Sequence, residues 1–433
     1  MNPRRPANSC YRSNRALAAL GISAITLYGA KILINVFGPQ PPFTMNSPGV
    51  PLDSEEFVQF LSILTDGTRR RSQLHRLKNG AEFYPAELEA IRSARHAINM
   101  EFYEFAPGQV SRGFLAALSE RARAGVDVRL IVDAAGSLGT CSSYFNPLRA
   151  AGGKMRWYHP LRWNTWPELN QRTHRKLIII DGHTGFIGGA GIADHWLHPT
   201  SKGPPWRDTV FRVDGEAVAG LISAFAENWL EASGEILSGP NQFGFRDMPE
   251  GAESFVVTST PRGGGTQARV LFQALIGSAQ KTIRITTPYF LPDPSARRAF
   301  IEARKRGVQV QILTAGPLID HPIIHKLSRP ATRDLIRAGA EVYDYMPAMI
   351  HAKLMTIDGQ WSVVGSTNFD HRSFALNDEV NLAILDRDLA TTIDSDLAED
   401  LIHSCRLTED MLGRRGPFAA ITDILGHALR FES

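Results

Sequence analysis

Histidine and lysine stand two residues apart at His174 and Lys176, with Asp181 completing a His-x-Lys-x4-Asp string, and the same string returns at His351, Lys353 and Asp358. On an extended strand, residues i and i+2 leave by one face, so each copy presents an imidazole and an ammonium side by side. An imidazole is a nucleophile and a proton carrier near neutral pH, and an ammonium neutralises oxyanions. Two copies facing each other would surround one anionic group with two histidines and two cations. The ligand that such a set of groups fits is a phosphodiester. A single string could arise by chance in a chain of 433 residues with 13 histidines. Two strings in matching surroundings need a reason, because burying a lysine beside a histidine costs several kcal/mol unless an anion or a carboxylate answers it.

The surroundings do match. Lys176 is followed by Leu-Ile-Ile-Ile and then Asp181-Gly182, and Lys353 by Leu-Met-Thr-Ile and then Asp358-Gly359. An apolar run that ends in Asp-Gly predicts a buried strand entering a tight hairpin. The returning strands, Gly185 to Gly189 and Ser362 to Ser366, carry small residues that let backbone or substrate come close. Gly189 and Ser366 are therefore candidate substrate-contacting positions. Asp181 and Asp358 belong to the motif, but the spacing suits them to bracing the turns or pairing with neighbouring cations.

Wider comparison of the two halves shows one unit used twice. Ser93-Ala94 leads into the apolar stretch Ala97 to Phe102, as Ser278-Ala279 leads into Ile283 to Ile285. Gly125-Val-Asp-Val answers Gly307-Val-Gln-Val, each a helix end, a glycine cap and a strand. Ala151-Gly152 answers Ala338-Gly339, and the His-x-Lys strands then arrive in the same place in the order. Strands alternating with helices predict an α/β fold, two similar α/β/α halves with mostly parallel sheets packed around one shared active site.

Hydrophobic residues make up 43% of the chain, enough for two ordinary domains, and the net charge of +3 is too small to argue for bulk nucleic-acid binding. Cys10, Cys141 and Cys405 are few, far apart and odd in number, which excludes a disulfide framework and a tetrahedral zinc site. No His/Asp cluster has metal-ligand spacing, and the lysines already supply positive charge, so neither a metal nor another cofactor is expected.

The organisation expected from these patterns has five parts. Residues 1–37 form a basic tail and membrane anchor. Four arginines precede a charge-free stretch from Ala16 to Ala30, and a helix from Ala16 to Phe37 would be long enough to cross a bilayer. A cleaved signal and a merely interfacial helix are the competing readings, and no A-x-A site follows the apolar run. The arginines place the N-terminus in the cytoplasm by the positive-inside rule. Residues 38–81, which open on a Pro-rich stretch, read as linker and extension. The first half spans 82–245 and the second 246–406. Residues 407–433 read as a helical tail with one or two amphipathic helices. The segment Trp157 to Arg172, rich in Trp and Arg and inserted relative to the second half, reads either as a membrane-interface loop or as a packed surface loop.

The residues also carry a resemblance. Thr173-His-Arg-Lys-Leu-Ile-Ile-Ile-Asp-Gly182, Thr286-Thr-Pro-Tyr-Phe-Leu-Pro-Asp293, Gly365-Ser-Thr-Asn-Phe-Asp-His-Arg-Ser-Phe374 and Leu376-Asn-Asp-Glu-Val-Asn381 resemble the phospholipase D superfamily, and within it the bacterial cardiolipin synthase branch. The likeness runs from about Glu82 to Arg406. It implies His174 as nucleophile and His351 as acid/base, or the reverse, with Lys176, Lys353 and Asn368 on the phosphate. It also implies Asp208 as the carboxylate that orients His174 and Glu379 as the one that orients His351. Where the family carries Asn in the first copy, matching Asn368 in the second, this chain has Gly191, which predicts one phosphate contact fewer. The implied partners are a phospholipid substrate, phosphatidylglycerol above all, and the bacterial cell membrane, with no nucleic acid. The implied reaction is transfer of a phosphatidyl group through a phosphohistidine to make cardiolipin. Hydrolysis by the same site, a phosphodiesterase or nuclease, and a non-catalytic lipid-binding protein are the alternatives.

Overall fold

A computed structural model describes residues 44–45, 47–160, 171–201, 203–239, 242–244, 248–260 and 267–412. The expected anchor at 1–37, residues 161–170 of the Trp/Arg-rich insertion and the expected C-terminal tail beyond 412 lie outside the described residues. Among the described residues, no helix is long and apolar enough to cross a membrane.

The described strands are β1 (Arg69–Lys78), β2 (Ala97–Phe102), β3 (Asp127–Asp133), β4 (Lys154–Tyr158), β5 (Arg172–Thr173), β6 (Lys176–Ile180), β7 (Thr184–Gly188) and β8 (Thr209–Gly215) in the first half. The second half contributes β9 (Ala252–Ser259), β10 (Thr282–Thr286), β11 (Gln309–Ala315), β12 (Glu341–Tyr345), β13 (Leu354–Ile357), β14 (Trp361–Gly365), β15 (Asn377–Leu385) and β16 (Ser404–Arg406). They hydrogen-bond in the order β16-β12-β11-β10-β13-β14-β15-β9-β1-β8-β7-β6-β2-β3-β4, with β5 on β15. Read outward from the antiparallel β9–β1 pair, the two arms mirror each other: β9 answers β1, β15 answers β8, and so on to β12 and β4. One α/β unit is thus present twice, related by a pseudo-twofold between β1 and β9.

Two expectations need correction. The sheets are mixed: parallel pairing is confined within each arm to β2-β3-β4 and β10-β11-β12, while the motif hairpins β6-β7-β8 and β13-β14-β15 are antiparallel. The physical reason is the Asp-Gly turn, which returns the chain immediately beside itself and leaves no room for a helical crossover. The segment 38–81 is also more than a linker. Its Arg69–Lys78 stretch is β1, paired on one side with β8 and on the other with β9, where it joins the halves. Ahead of it, the helix Glu55–Thr65 is capped by the Ser54 hydroxyl and buries Phe57, Val58 and Leu61 against Leu271, Leu275 and Trp361 of the second half.

Helices cover the apolar strands. In the first half Phe83, Ile91, Phe114 and Leu118 close over Ile98, Met100, Leu130 and Ile178. A central cluster built from Leu177, Ile179, Phe211, Phe225 and Trp229 meets Leu354, Val364, Val380 and Leu382, so the halves share a core as well as a sheet. Burial on that scale makes the strand ends that carry the histidines rigid.

Candidate active site

Each motif hairpin is closed by two consecutive residues in the left-handed region: Asp181 and Gly182 at φ 50° and 69°, Asp358 and Gly359 at φ 54° and 62°. Asp-Gly suits such a turn because Gly has no Cβ and Asp tolerates the conformation. The aspartates do a second job. Asp181 accepts backbone N–H bonds from Arg95, His96 and Ala97 at 2.8–2.9 Å, and Asp358 accepts them from Gln280, Lys281 and Thr282 at 2.7–2.9 Å. Each therefore ties its turn to the start of the neighbouring strand. They stand at the far ends of β6 and β13 from the histidines and do not line the cavity described next.

At the opposite ends of these strands the histidines and lysines come together. A cavity of about 100 Å³ is lined by His174, Lys176, His351 and Asn368, together with Tyr103, Glu104, Trp196, Trp206, Tyr289 and Arg372. Both histidines and both lysines are buried. The ammonium of Lys176 donates to the His174 carbonyl at 2.6 Å and lies 5.5 Å from the centre of the Tyr103 ring. That of Lys353 donates to the His351 carbonyl at 2.5 Å and sits 3.1 Å from His351 Nε2. Tyr103 packs edge-on against His174, while Trp196 and Trp206 pack against His351.

The orienting carboxylates cross over. His174 Nδ1 lies 3.0 Å from Glu379 of the second half, and His351 Nδ1 lies 3.1 Å from Asp208 of the first. This reverses the pairing expected from the resemblance, in which each histidine took the acid of its own half. Strand pairing explains the reversal. The His174 N–H donates to the Asp378 carbonyl where β5 joins β15, and the His351 N–H donates to the Arg207 carbonyl at the Arg207–Ile350 bridge. Every histidine is stitched to the backbone residue just before the other half's acid. The acids have their own supports. Asp208 accepts from Trp196 Nε1 at 3.0 Å and from the Thr209 N–H at 2.8 Å, and Glu379 accepts from the Ser366 hydroxyl. Ser366 thus holds the acid, and its first-half counterpart Gly189 leaves room for one: a Cβ there would meet the Asp208 carboxylate and the His351 carbonyl.

Electrostatics follow from burial and crowding of like charge. Burial and the two lysines hold the His174 imidazolium well below the usual range. Burial and Lys353 push His351 down to about 4, although Asp208 pulls the other way. Burial pushes Lys353 down to about 8 against the attraction of Asp208 and Glu379, and burial together with Lys353 holds Lys176 well below an ordinary lysine. Burial pushes Glu379 up to about 7. For Asp208, burial is outweighed by the hydrogen bond and charge of His351 and by Lys353, so its carboxyl is held low. An anion placed between the lysines would reverse most of these shifts, because an opposite charge favours the protonated bases.

The structure explains Gly191 differently from a simple lost donor. The bridges Phe105–Ile192 and Phe290–Phe369 align Gly191 with Asn368 and Glu104 with Tyr289. A Cβ on Gly191 would come 2.9 Å from the Glu104 carbonyl and 3.1 Å from both Glu104 Cβ and Trp196. The place that a longer side chain would need is filled.

A family model described as Cardiolipin synthase, PLD-like domain, matches residues 88–197 and 272–401. The chain belongs to this family. Its matched segments hold all of the motif residues and fall one in each arm of the sheet. A probable cardiolipin synthase, YwiE, of Bacillus subtilis strain 168 is 34% identical over 80% of this chain and 69% of its own length. A cardiolipin synthase of Listeria monocytogenes serotype 4a strain HCC23 is 31% identical over 87% and 78%. Among solved structures, the phosphatidylserine synthase of Haemophilus influenzae Rd KW20 superposes with a TM-score of 0.66 at 16% identity, covering 86% of this chain and 97% of that one. The last likeness bears on the fold: a two-armed α/β chain with the same overall course.

Sequence reasoning named both histidines, both lysines and Asn368; the cavity brings together His174, Lys176, His351 and Asn368, and Lys353 stands beside it against His351. It missed Tyr103, Glu104, Tyr289 and Trp196. Their signal was positional: Tyr103-Glu104 and Tyr289 follow the first strand of the repeat in each half, and ligands in α/β sheets gather beyond such strand ends. Among the described residues, no cluster of His, Cys, Asp and Glu could hold a metal ion.

Proposed function

We propose that this protein is a membrane-bound cardiolipin synthase that joins two phosphatidylglycerols into cardiolipin and releases glycerol. The single observation carrying the reading is the crossed pair of buried histidines, each with Nδ1 on a carboxylate of the opposite half and each beside a lysine, in one cavity. With Nδ1–H given to a carboxylate, Nε2 keeps its lone pair for phosphorus or for a proton.

His174 is the nucleophile. Its imidazolium is strongly disfavoured, which keeps the lone pair free, whereas His351 has the ionised Asp208 behind it to support a positive charge. His174 Nε2 attacks phosphorus, and the P–O bond to glycerol breaks as His351 Nε2 gives the departing oxygen its proton. The headgroup hydroxyl of a second phosphatidylglycerol then returns that proton to His351 and attacks phosphorus, and the N–P bond breaks. Lys176, Lys353 and Asn368 hold the non-bridging oxygens through both steps. The Ala16 to Phe37 stretch would keep the site at the bilayer that supplies both substrates.

The test is lipid analysis after incubating the full-length protein with phosphatidylglycerol vesicles. Cardiolipin with equimolar glycerol is expected. Phosphatidic acid as the sole product would make the protein a hydrolase, and cleavage of single-stranded DNA without lipid turnover would overturn the lipid reading altogether.

A further inference from the structure

The two arms place different side chains at one equivalent point of the cavity wall. Beyond β10 stands Tyr289, whose hydroxyl donates to Asp320 at 2.6 Å; beyond β2 stands Glu104. A carboxylate is a poor choice for a wall that faces a phosphodiester, since like charges repel. Yet Glu104 is built in. The chain gives up any side chain at Gly191 where its backbone and Cβ pass, and its carboxylate lies 3.7 Å from His195, which packs at a tilt against Trp196 and Trp206 beside His351. The Glu104 side chain is 28% exposed, so it stands at the mouth of the cavity and not in its floor. Its charge also reaches Lys176, which it favours in the protonated form.

We infer that Glu104 is the specificity-determining residue for the incoming alcohol: it accepts a hydrogen bond from a hydroxyl of a polyol adjacent to the one that reacts at His351. This rests on the transferase reading above. The assignment divides the wall by chemistry. Asp320 and Asp370 also line the cavity, but Asp320 accepts from the Tyr289 hydroxyl and Asp370 from the Ser373 N–H; Asn368 donates to phosphoryl oxygens, and Glu104 accepts from hydroxyls. Glu104 takes no proton from the reacting hydroxyl. That proton goes to His351 Nε2 as the new O–P bond forms and the N–P bond to His174 breaks. Loss of a hydrogen bond to a charged acceptor weakens discrimination by about tenfold or more.

The experiment offers full-length protein in phosphatidylglycerol vesicles an equimolar mixture of deuterated glycerol and propan-1-ol, which has no neighbouring hydroxyl, and counts the two exchanged lipids by mass. Wild type should favour glycerol. Glu104→Ala should lower that preference by about tenfold, and Glu104→Gln, which keeps a carbonyl acceptor, should fall between. An unchanged preference in Glu104→Ala, or a parallel loss of transfer to both alcohols, overturns the inference and makes Glu104 a support for His195. Wild type that consumes no phosphatidylglycerol overturns the transferase reading itself, and this one with it.

Discussion

The two arms of the sheet agree at the bottom of the motif strands and differ at the top. At the bottom, Asp181 and Asp358 adopt the same conformation and accept the same three backbone N–H bonds. At the top, Ser366 and Asn368 of one arm take the places that Gly189 and Gly191 hold in the other, and Tyr289 takes that of Glu104. The repeated unit is therefore conserved in what positions the histidines and divergent in what surrounds them. A symmetric scaffold holds a site whose two histidines need not do the same work, and the crossed carboxylates make each histidine depend on the arm it does not belong to.

The harshest way to break this comparison is to remove each histidine. His174→Ala and His351→Ala should each lower phosphatidylglycerol turnover by about 10³-fold or more, because neither imidazole can stand in for the other. They should differ in kind: His351→Ala still forms a phosphoenzyme from a donor with a good leaving group, detectable as a phosphorylated His174 peptide, and His174→Ala forms none. Equal phosphoenzyme in both variants would contradict the division of labour. Next come the carboxylates. Asp208→Asn and Glu379→Gln should each cost about 10²- to 10⁴-fold in kcat, since a histidine whose Nδ1 partner is neutral loses its tautomer and its support for positive charge. Glu379→Gln should slow phosphoenzyme formation from any donor, whereas Asp208→Asn should slow formation from phosphatidylglycerol and release to alcohol but spare formation from a donor with a good leaving group; single-turnover kinetics separates the two.

A smaller effect distinguishes the lysines. Lys353 is pushed down to about 8, and the anion binds the protonated ammonium. Raising pH through that value removes the charge, so kcat/KM should fall above about pH 8 with a slope approaching one decade per unit, while kcat, which reports the anion-bound enzyme, holds to higher pH. Lys353→Arg should lose this limb if Lys353 owns it; persistence of the limb would assign it to Lys176. Smallest of all, Gly191→Asn should lower stability by about 1–3 kcal/mol through overpacking against Glu104 and Trp196, with no gain in activity. Denaturant unfolding measures it, and a stable, faster variant would show that the first arm merely lacks a donor.

Much of this was legible in the sequence, for local reasons. Lys176 to Gly182 and Lys353 to Gly359 encode strand and turn within a few residues, and the repeat aligns them. The crossing was hidden because it depends on the pairing of Asp378 with Thr173 and of Arg207 with Ile350, contacts between segments far apart in the chain. The resemblance pointed each histidine to the acid of its own arm. β1 was hidden for another reason. Arg-Arg-Arg-Ser-Gln-Leu-His-Arg-Leu-Lys is too polar to read as a strand joining two halves, yet it buries little beyond Ser72 and Leu74 and pairs on both edges. Glu104 and Gly191 became a matched pair only when the bridges put them side by side.

The crossed pairing is the claim on which the shared site stands, and imidazole nitrogen resonances test it most directly. In protein labelled at histidine ring nitrogens, with His174 and His351 assigned from their alanine variants, Glu379→Gln should change the Nδ1 shift and tautomer of His174 and leave those of His351 in place, and Asp208→Asn should do the reverse. A Glu379→Gln variant that instead perturbs His351, with His174 unmoved, would return each histidine to its own arm and contradict the account.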